Sequence, residues 1–250
     1  MYFYPRLGKN GRLGNQMFQY ATLLSLSKYH GVEAGIPENK GNADDDYGYA
    51  HIYDAFENLS ATQVTSADMS SAKYEYNAKE GIDFNFDPSL FSTRDDCRIN
   101  GYFQSELYFS MIRDDLKKEF KFSDEIIGWC KNKLQDLRPT ADSTMCAVHF
   151  RRGDYSGLGN VHTNLGSDYY NPAISWMTGN LPDCRFIAFS DDIQWCKDNL
   201  PEGFLFAETP GMFYDMCMMS MCDSHIIANS SFSWWGAWLG ENKDSIILRP

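Results

Sequence analysis

Short apolar runs alternate with segments of helical periodicity along the second half of the chain. The apolar runs, which predict strands, lie at 145–150, 185–189, 204–206, 225–228 and 246–248. Helical spacing of apolar side chains predicts helices between them at 169–178, 193–199, 212–221 and 234–239. Because a strand covered on both faces reads as a continuous apolar run, this alternation predicts a parallel, doubly wound α/β sheet.

The first half is less regular, and its strongest signal is a glycine turn followed by a helix. Gly11 and Gly14 flank Arg12. Asn15 is placed to cap a helix whose apolar periodicity runs to Gly31. A glycine turn that opens a helix presents free N–H groups to an anion or a sugar hydroxyl. A plain turn before a capped helix explains the same residues equally well.

Three further elements are predicted in the first half. A short strand is expected at 98–103, and helices are expected from 104 to 120 and from 126 to 137. The segment from 52 to 91 has a weak pattern and predicts no element.

The length of 250 residues fits one large domain or two small ones. The polar segment PTADS at 139–143 follows the helix predicted to end at 137. It therefore predicts a boundary between an N-terminal domain, 1–138, and a C-terminal domain, 139–250.

Composition narrows the class of partner. Hydrophobic residues make up 43% of the chain and aromatic residues 15%, which is enough for a full core and excludes a disordered chain. The formal charge of −12 argues against nucleic acid or an anionic membrane as the main partner, because both select basic surfaces. A phosphate site is still compatible with this charge, since it needs only a few well-placed arginines.

No segment predicts export or membrane insertion. The N-terminal MYFYPRLGKNGRLG lacks an apolar core, and no apolar run approaches the roughly 18 residues of a membrane span. The seven cysteines include no CxxC pair, which disfavours a zinc site or a disulfide framework. We expect a soluble protein of a reducing, cytoplasmic compartment, without a bound metal or cofactor. Peripheral association with a membrane is left open.

Polar side chains follow three of the predicted strands. Arg151 and Arg152 come after the first strand, Asp191 after the second, and Ser230 and Ser231 after the fourth. Because the carboxyl ends of parallel strands meet at one edge of a sheet, we expect these groups to converge on one ligand. Adjacent guanidiniums match phosphate oxygens, and serines at a helix N-terminus add donors to the same phosphates. A carboxylate can accept hydrogen bonds from a base or a ribose.

Each of these segments also has a purely structural interpretation. The RRGD segment at 151–154 fits a surface turn with local ion pairs, worth about 0–1 kcal/mol each. Asp191 and Asp192 can cap the helix that follows them, and Ser230 can cap the helix at 234–239. Their occurrence at the ends of apolar strands in one predicted sheet favours a shared site.

Four stretches carry a family resemblance. They are GRLGNQMFQYA at 11–21, VHFRRGDY at 148–155, FSDDIQWC at 189–196 and NSSFSWWGAWL at 229–239. Together they resemble the α-1,2-fucosyltransferases of glycosyltransferase family 11, and they occur in the family's order. The resemblance is faint between 40 and 140.

The resemblance implies a fold and a reaction. The fold is GT-B-like, with two Rossmann-like domains facing across a cleft. The reaction is inverting transfer of L-fucose from GDP-β-L-fucose to a galactose-containing acceptor, without an obligatory metal. An α-1,2 linkage in glycan or O-antigen-type polysaccharide synthesis is the expected product. The resemblance further implies a closing helix after the last strand, and the chain ends at Pro250. A compact member and a truncated one are both open.

The resemblance also implies residue roles. Arg151 corresponds to the arginine on the β-phosphate of the donor, with Arg152 and His149 beside it. Asp191 falls in the motif expected near guanosine. Other donor contacts near the diphosphate are Ser230, Ser231 and Phe232. The loop expected to close over the donor from the N-terminal domain contains Arg12, Gly14, Asn15 and Gln16.

Transfer with inversion needs a cation at the leaving group and a proton acceptor at the attacking hydroxyl. We expect Arg151 to stabilise the charge that builds up on the departing β-phosphate. Asp154 is the nearest candidate base, and orienting Arg151 or Arg152 is an equally good interpretation of it. Two alternatives stay open: a GDP-sugar transferase that makes another linkage, and a non-catalytic nucleotide-sugar or glycan-binding protein.

Overall fold

In the computed structural model, the protein has two compact units, Met1–Ser123 and Asp124–Pro250. The structure describes residues 1–39, 51–79, 84–152 and 165–250. Each unit is built on a five-stranded sheet, and every described strand pairing is parallel. The predicted α/β class is therefore confirmed, and the parallel arrangement extends to both units.

Most strands of the N-terminal sheet were not predicted from the sequence. Its strands are β1 (Tyr2–Phe3), β2 (Ala34–Pro37), β3 (Thr62–Val64), β4 (Tyr74–Asn77) and β5 (Cys97–Asn100). They are ordered β3-β2-β1-β5-β4. Sequence periodicity predicted only β5, and β3 (TQV) and β4 (YEYN) contain no continuous apolar run that would indicate a buried strand.

The described helices of this unit are α1 (Leu13–His30), α2 (Ile52–Ala55), α3 (Ser66–Ser70) and α4 (Arg113–Glu119). As predicted, α1 ends at Gly31, whose φ of +66° suits a residue without a Cβ atom. The predicted cap is wrong. The helix begins after Arg12, and Asn15 lies inside it, where its Oδ1 accepts a hydrogen bond from Gln104 Nε2 at 2.6 Å.

The single helix predicted from 104 to 120 is also wrong. Two short 3₁₀ turns, Glu106–Tyr108 and Ser110–Ile112, come before α4. Phe109 separates the turns with non-helical dihedral angles, φ −138° and ψ 11°, and is fully buried, as is Phe103, whose φ is +53°. Burying these two rings takes the backbone out of the helical region, so tertiary packing overrides the local pattern.

The C-terminal sheet follows the sequence prediction closely. Its strands are β6 (Thr144–Phe150), β7 (Cys184–Ser190), β8 (Leu205–Phe206), β9 (Ser224–Ile226) and β10 (Ile247–Leu248). Their order is β10-β9-β6-β7-β8, which places β6 at the centre. All five predicted strands are confirmed, with ends that shift by one or two residues.

The described helices of this unit are α5 (Asp124–Leu137), α6 (Ser167–Asn180), α7 (Ile193–Asn199), α8 (Met212–Ser220) and α9 (Ser231–Gly240). Three methionines of α8, Met216, Met218 and Met219, are core residues, as expected, and α9 packs closely against that helix. A Cβ atom on Gly240 would lie 2.2 Å from the carbonyl oxygen of Ser220, so glycine permits this approach. No helix in the described part of the chain is both long enough and apolar enough to cross a membrane.

The division between the units lies before α5, whereas the sequence prediction placed the boundary after it, at 138/139. Helix α5 packs on α8: the rings of Trp129 and Tyr214 meet edge to face at 5.2 Å, and Cys130 Sγ donates to the Tyr214 carbonyl at 3.4 Å. The polar loop at 139–143 lies inside the C-terminal unit, where Arg138 reaches the carboxylate of Asp223 at 3.0 Å. The polar composition of 139–143 indicated a loop, but it did not indicate which unit contains the helix that precedes it.

Candidate active site

The carboxyl ends of β6 and β7 are tied side by side. Phe150 and Ser190 are partners in the parallel register, and Ser190 Oγ donates a hydrogen bond to the Phe150 carbonyl at 2.7 Å. The chain then leaves both strands at the same level. Arg151 therefore lies next to Asp191, although 40 positions separate them in the sequence.

Asp191 holds both residues of the arginine pair. Its Oδ2 atom is 2.7 Å from Nη1 of Arg151, and its Oδ1 atom accepts the backbone N–H of Arg152 at 3.0 Å. The Arg151 side chain is only 16% exposed, so this pair is shielded more than a surface ion pair. The carboxylate thus fixes the direction of the Arg151 guanidinium and the backbone that follows it.

The guanidinium of Arg152 lies over an aromatic ring. Its Cζ atom is 3.6 Å from the centre of the Trp195 ring on α7, a cation–π contact. Asp192 caps this helix by accepting the Trp195 N–H at 3.1 Å, so the structural interpretation holds for Asp192 and not for Asp191. Sequence reasoning missed Trp195. Its position three residues into a helix that starts beside the arginines was the available signal.

His149, at the end of β6, is buried and neutral. Burial and the positive charge of Arg151 lower the pKa of His149 to about 4. Its ring lies 5.9 Å from the ring of Phe232, and its Nδ1 atom has no hydrogen-bond partner among the described residues. His149 therefore carries no positive charge at neutral pH.

The N-terminus of α9 lies beside this strand end. Ser230 caps the helix, because its Oγ atom accepts the N–H of Phe232 at 3.3 Å. Phe232 in turn contacts His149. The first turn of α9 and the end of β6 thus adjoin, as predicted, and Ser231 opens the helix. An anion at this point would meet the partial positive charge of the helix end.

The glycine turn of the N-terminal unit is held from within. Gln16 is fully buried, where its Nε2 atom donates to the Gly11 carbonyl at 3.0 Å and its Oε1 atom accepts the Ile52 N–H at 3.1 Å. Gly14 is buried in the first turn of α1. These bonds use Gln16 to shape the turn, so donor contact through this side chain stays a prediction, as it does for Arg12 and Asn15.

Asp154 lies outside the described residues, so its role as a base stays a prediction. Within the described ranges, no three histidine, cysteine, aspartate or glutamate side chains come together as a metal site.

Asp215 was missed by the sequence reasoning. It lies in the first turn of the otherwise apolar α8, where Thr209 Oγ1 donates to its Oδ1 atom at 2.7 Å. Burial raises the pKa of Asp215 to about 6, and the Thr209 hydrogen bond offsets part of that rise. An isolated acid in a methionine-rich helix was the signal. Because such perturbed carboxylates concentrate at functional sites, Asp215 is an additional candidate.

The raised pKa of Asp215 predicts a pH-dependent stability. The folded state binds its proton more tightly than the unfolded chain, so stability falls as the pH rises from about 4 to about 6. Asp215→Asn keeps an acceptor for Thr209 and removes the buried charge. We expect the free energy of unfolding at pH 7.5 to rise by on the order of 2 kcal/mol, and the gain to vanish near pH 4.

Urea unfolding at pH 4, 5, 6 and 7.5 measures this difference. Asp198→Asn is the matched control, because Asp198 is an exposed carboxylate on the neighbouring helix α7. A constant offset between Asp215→Asn and the unmodified chain over this range would contradict the titration.

Comparison with solved structures identifies the fold. The crystal structure of NodZ α-1,6-fucosyltransferase soaked with GDP-fucose matches 95% of this chain and 91% of that one, with a TM-score of 0.59 and 13% identity. At this identity the match shows the fold alone, which is that of the GT-B glycosyltransferases.

The sequence comparisons are more specific. The sequence model of the family described as "Glycosyl transferase family 11" matches residues 6–250. The chain therefore belongs to this family and is a glycosyltransferase. An α-1,2-colitosyltransferase of Escherichia coli is 30% identical over 96% of the chain and 89% of its own length. Human galactoside α-(1,2)-fucosyltransferase 1 is 27% identical over 96% of the chain, which spans 66% of the length of that relative.

Proposed function

We propose that the protein transfers L-fucose from GDP-β-L-fucose to a hydroxyl group of a galactoside, with inversion and formation of an α-1,2 linkage. The single observation that carries this proposal is the Arg151–Asp191 pair at the carboxyl end of the central strand of the C-terminal sheet. Membership of family 11 and the galactoside fucosyltransferases among its relatives support the choice of donor and acceptor.

In this proposal the arginine pair and α9 hold the diphosphate. The C1–O bond to GDP breaks, and GDP departs with both bonding electrons. Arg151 stabilises the charge that develops on the β-phosphate, and the N–H groups at Ser230 and Ser231 add donors to the phosphates. Arg152, stacked on Trp195, supports the same group. His149 contributes at most a neutral hydrogen bond.

The acceptor side completes the reaction. The acceptor oxygen attacks C1 from the face opposite GDP, a new C1–O bond forms, and the hydroxyl proton passes to a base. Asp154 is the proposed base. In this proposal Asp191 acts through Arg151, because both of its oxygen atoms already hold the arginine segment.

A second candidate donor comes from a specific relative. The E. coli relative, 89% of whose length is matched by this chain, is named an α-1,2-colitosyltransferase. Colitose is therefore the alternative transferred sugar. The same phosphate contacts serve either sugar, because Arg151 and α9 are proposed to bind the diphosphate rather than the sugar ring. Another linkage, and binding without catalysis, are the further alternatives.

A transfer assay separates these candidates. The protein is incubated with GDP-fucose or GDP-colitose and a panel of galactosides, with and without EDTA, and GDP release and product linkage are measured. We expect galactoside-dependent GDP release from GDP-fucose, insensitive to EDTA, with an α-1,2 product. Faster GDP release from GDP-colitose than from GDP-fucose would identify GDP-colitose as the donor. An absence of GDP release with every combination of donor and galactoside would contradict catalysis.

A further inference from the structure

One face of the N-terminal sheet is polar where a parallel sheet is expected to be apolar. Arg98 and Asn100 project from β5 on the same side, opposite Glu75 and Asn77 in the register of β4. Nη2 of Arg98 lies 3.2 Å from Oε2 of Glu75, and Asn100 Nδ2 donates to Asn77 Oδ1 at 3.1 Å. Parallel sheets are normally covered by apolar packing on both faces, so this polar ladder requires an explanation.

A cavity of about 280 Å³ lies over this ladder. Its polar lining is provided by Arg6, Lys9, Ser66, Ser70, Glu75, Arg98 and Asn100. The volume is near the lower end of the range of small-molecule sites, roughly 300–1,000 Å³, so it suits a ligand of about one sugar ring. Asn10 Nδ2 donates to Asn100 Oδ1 at 3.2 Å and ties the loop after β1 to the wall of the cavity.

The cavity is positively charged within an acidic protein. Arg6, Lys9 and Arg98 line it together with a single acid, Glu75, while the whole chain carries a formal charge of −12. Arg6 and Lys9 are exposed, and neither forms an ion pair with a described residue. The Nε–H group of Arg98 is buried without a hydrogen-bond partner in the described part of the chain. A buried donor left unmatched in this way is unusual in a folded protein.

We propose that this cavity is a binding site for an anionic sugar, a uronate or a sugar phosphate. The oxyanion would be neutralised by Arg6, Lys9 and Arg98, because charge-assisted hydrogen bonds to guanidinium and ammonium groups are the strong ones. The sugar hydroxyls would bind Ser66, Ser70 and Asn100, which are short polar groups that donate and accept. The positive charge follows from the cavity itself, and the choice of galactose derivatives rests on the proposed function.

Calorimetric titration of the intact protein tests the site without any transfer reaction. The probes are galacturonate, galactose 1-phosphate, galactose and inorganic phosphate. We expect one or both anionic sugars to bind at least about tenfold more tightly than galactose and than inorganic phosphate. Equal binding of inorganic phosphate would mean an adventitious anion only, and equal binding of galactose would remove the role of the charge; either result overturns the proposal.

Charge variants assign the binding to this cavity. In Arg6→Gln/Lys9→Gln, both exposed rim cations are lost, and we expect the affinity for the anionic sugar to fall about tenfold or more. Lys73→Gln is the matched control, because Lys73 is exposed, pairs with Asp96 and does not line the cavity. An unchanged affinity in the double variant, or an equal loss in the control, would contradict the site. Neither readout needs GDP-fucose, so failure here is distinct from failure of the transfer assay.

Discussion

Replacing Arg151 by lysine is expected to lower the turnover number of fucosyl transfer by about 10²–10³-fold. Lysine keeps the positive charge, but it loses the planar fork of donors that matches both the Asp191 carboxylate and a phosphate. In the folded protein the Arg151 side chain is 16% exposed and held at 2.7 Å by Asp191, so a shorter point charge would not reproduce its direction. The measurement is kcat at saturating GDP-fucose and acceptor.

Arg185→Lys is the matched control for this substitution. Arg185 lies near the start of β7, where Nη2 pairs with Oδ1 of Asp183 at 2.7 Å, at the opposite end of the strand from Asp191. We expect its turnover to stay close to that of the unmodified protein. Near-normal turnover in Arg151→Lys, with the melting temperatures of both variants unchanged, would remove the proposed role of the guanidinium.

Asp191→Asn is expected to reduce kcat by about 10²-fold and to change the KM for GDP-fucose much less. Asparagine has nearly the same size, and its amide oxygen can still accept the N–H of Arg152. The substitution removes the negative charge of Asp191, which orients the Arg151 guanidinium. A misdirected guanidinium then meets the departing phosphate poorly, while the other phosphate contacts still bind the donor. Steady-state kinetics with varied GDP-fucose separates the two parameters.

The neighbouring residue supplies the control. Asp192 caps α7 through the N–H of Trp195, and asparagine caps a helix as well as aspartate does. Asp192→Asn should therefore leave both kcat and stability nearly unchanged. Guanosine recognition by Asp191, the role implied by the family resemblance, would instead raise the KM for the donor with little effect on kcat. That pattern would contradict the positioning role.

The sequence predicted the C-terminal unit far better than the N-terminal one. Strands β6 and β7 have seven residues each, long enough to read as apolar runs, and the glycine stop of α1 has a local cause. The N-terminal strands β3 (TQV) and β4 (YEYN) contain no continuous apolar run, and the turns around Phe109 depend on burial of that ring. The capping role predicted for Asn15 failed because the helix begins at Leu13, which places Asn15 inside it, where its side chain is bonded to Gln104, 89 positions away. A contact at that separation has no local signature.

The sequence by itself determined the family, the α/β class, the five strands of the C-terminal sheet and the polar residues at their carboxyl ends. Only the tertiary structure decided which of those residues act together. Strand register brings Asp191 onto Arg151, while Asp192, one position later, is used as a helix cap. Burial shifted the pKa values of His149 and Asp215. Periodicity reports which residues face a core, whereas side-chain pairing and desolvation depend on neighbours that are distant in the chain.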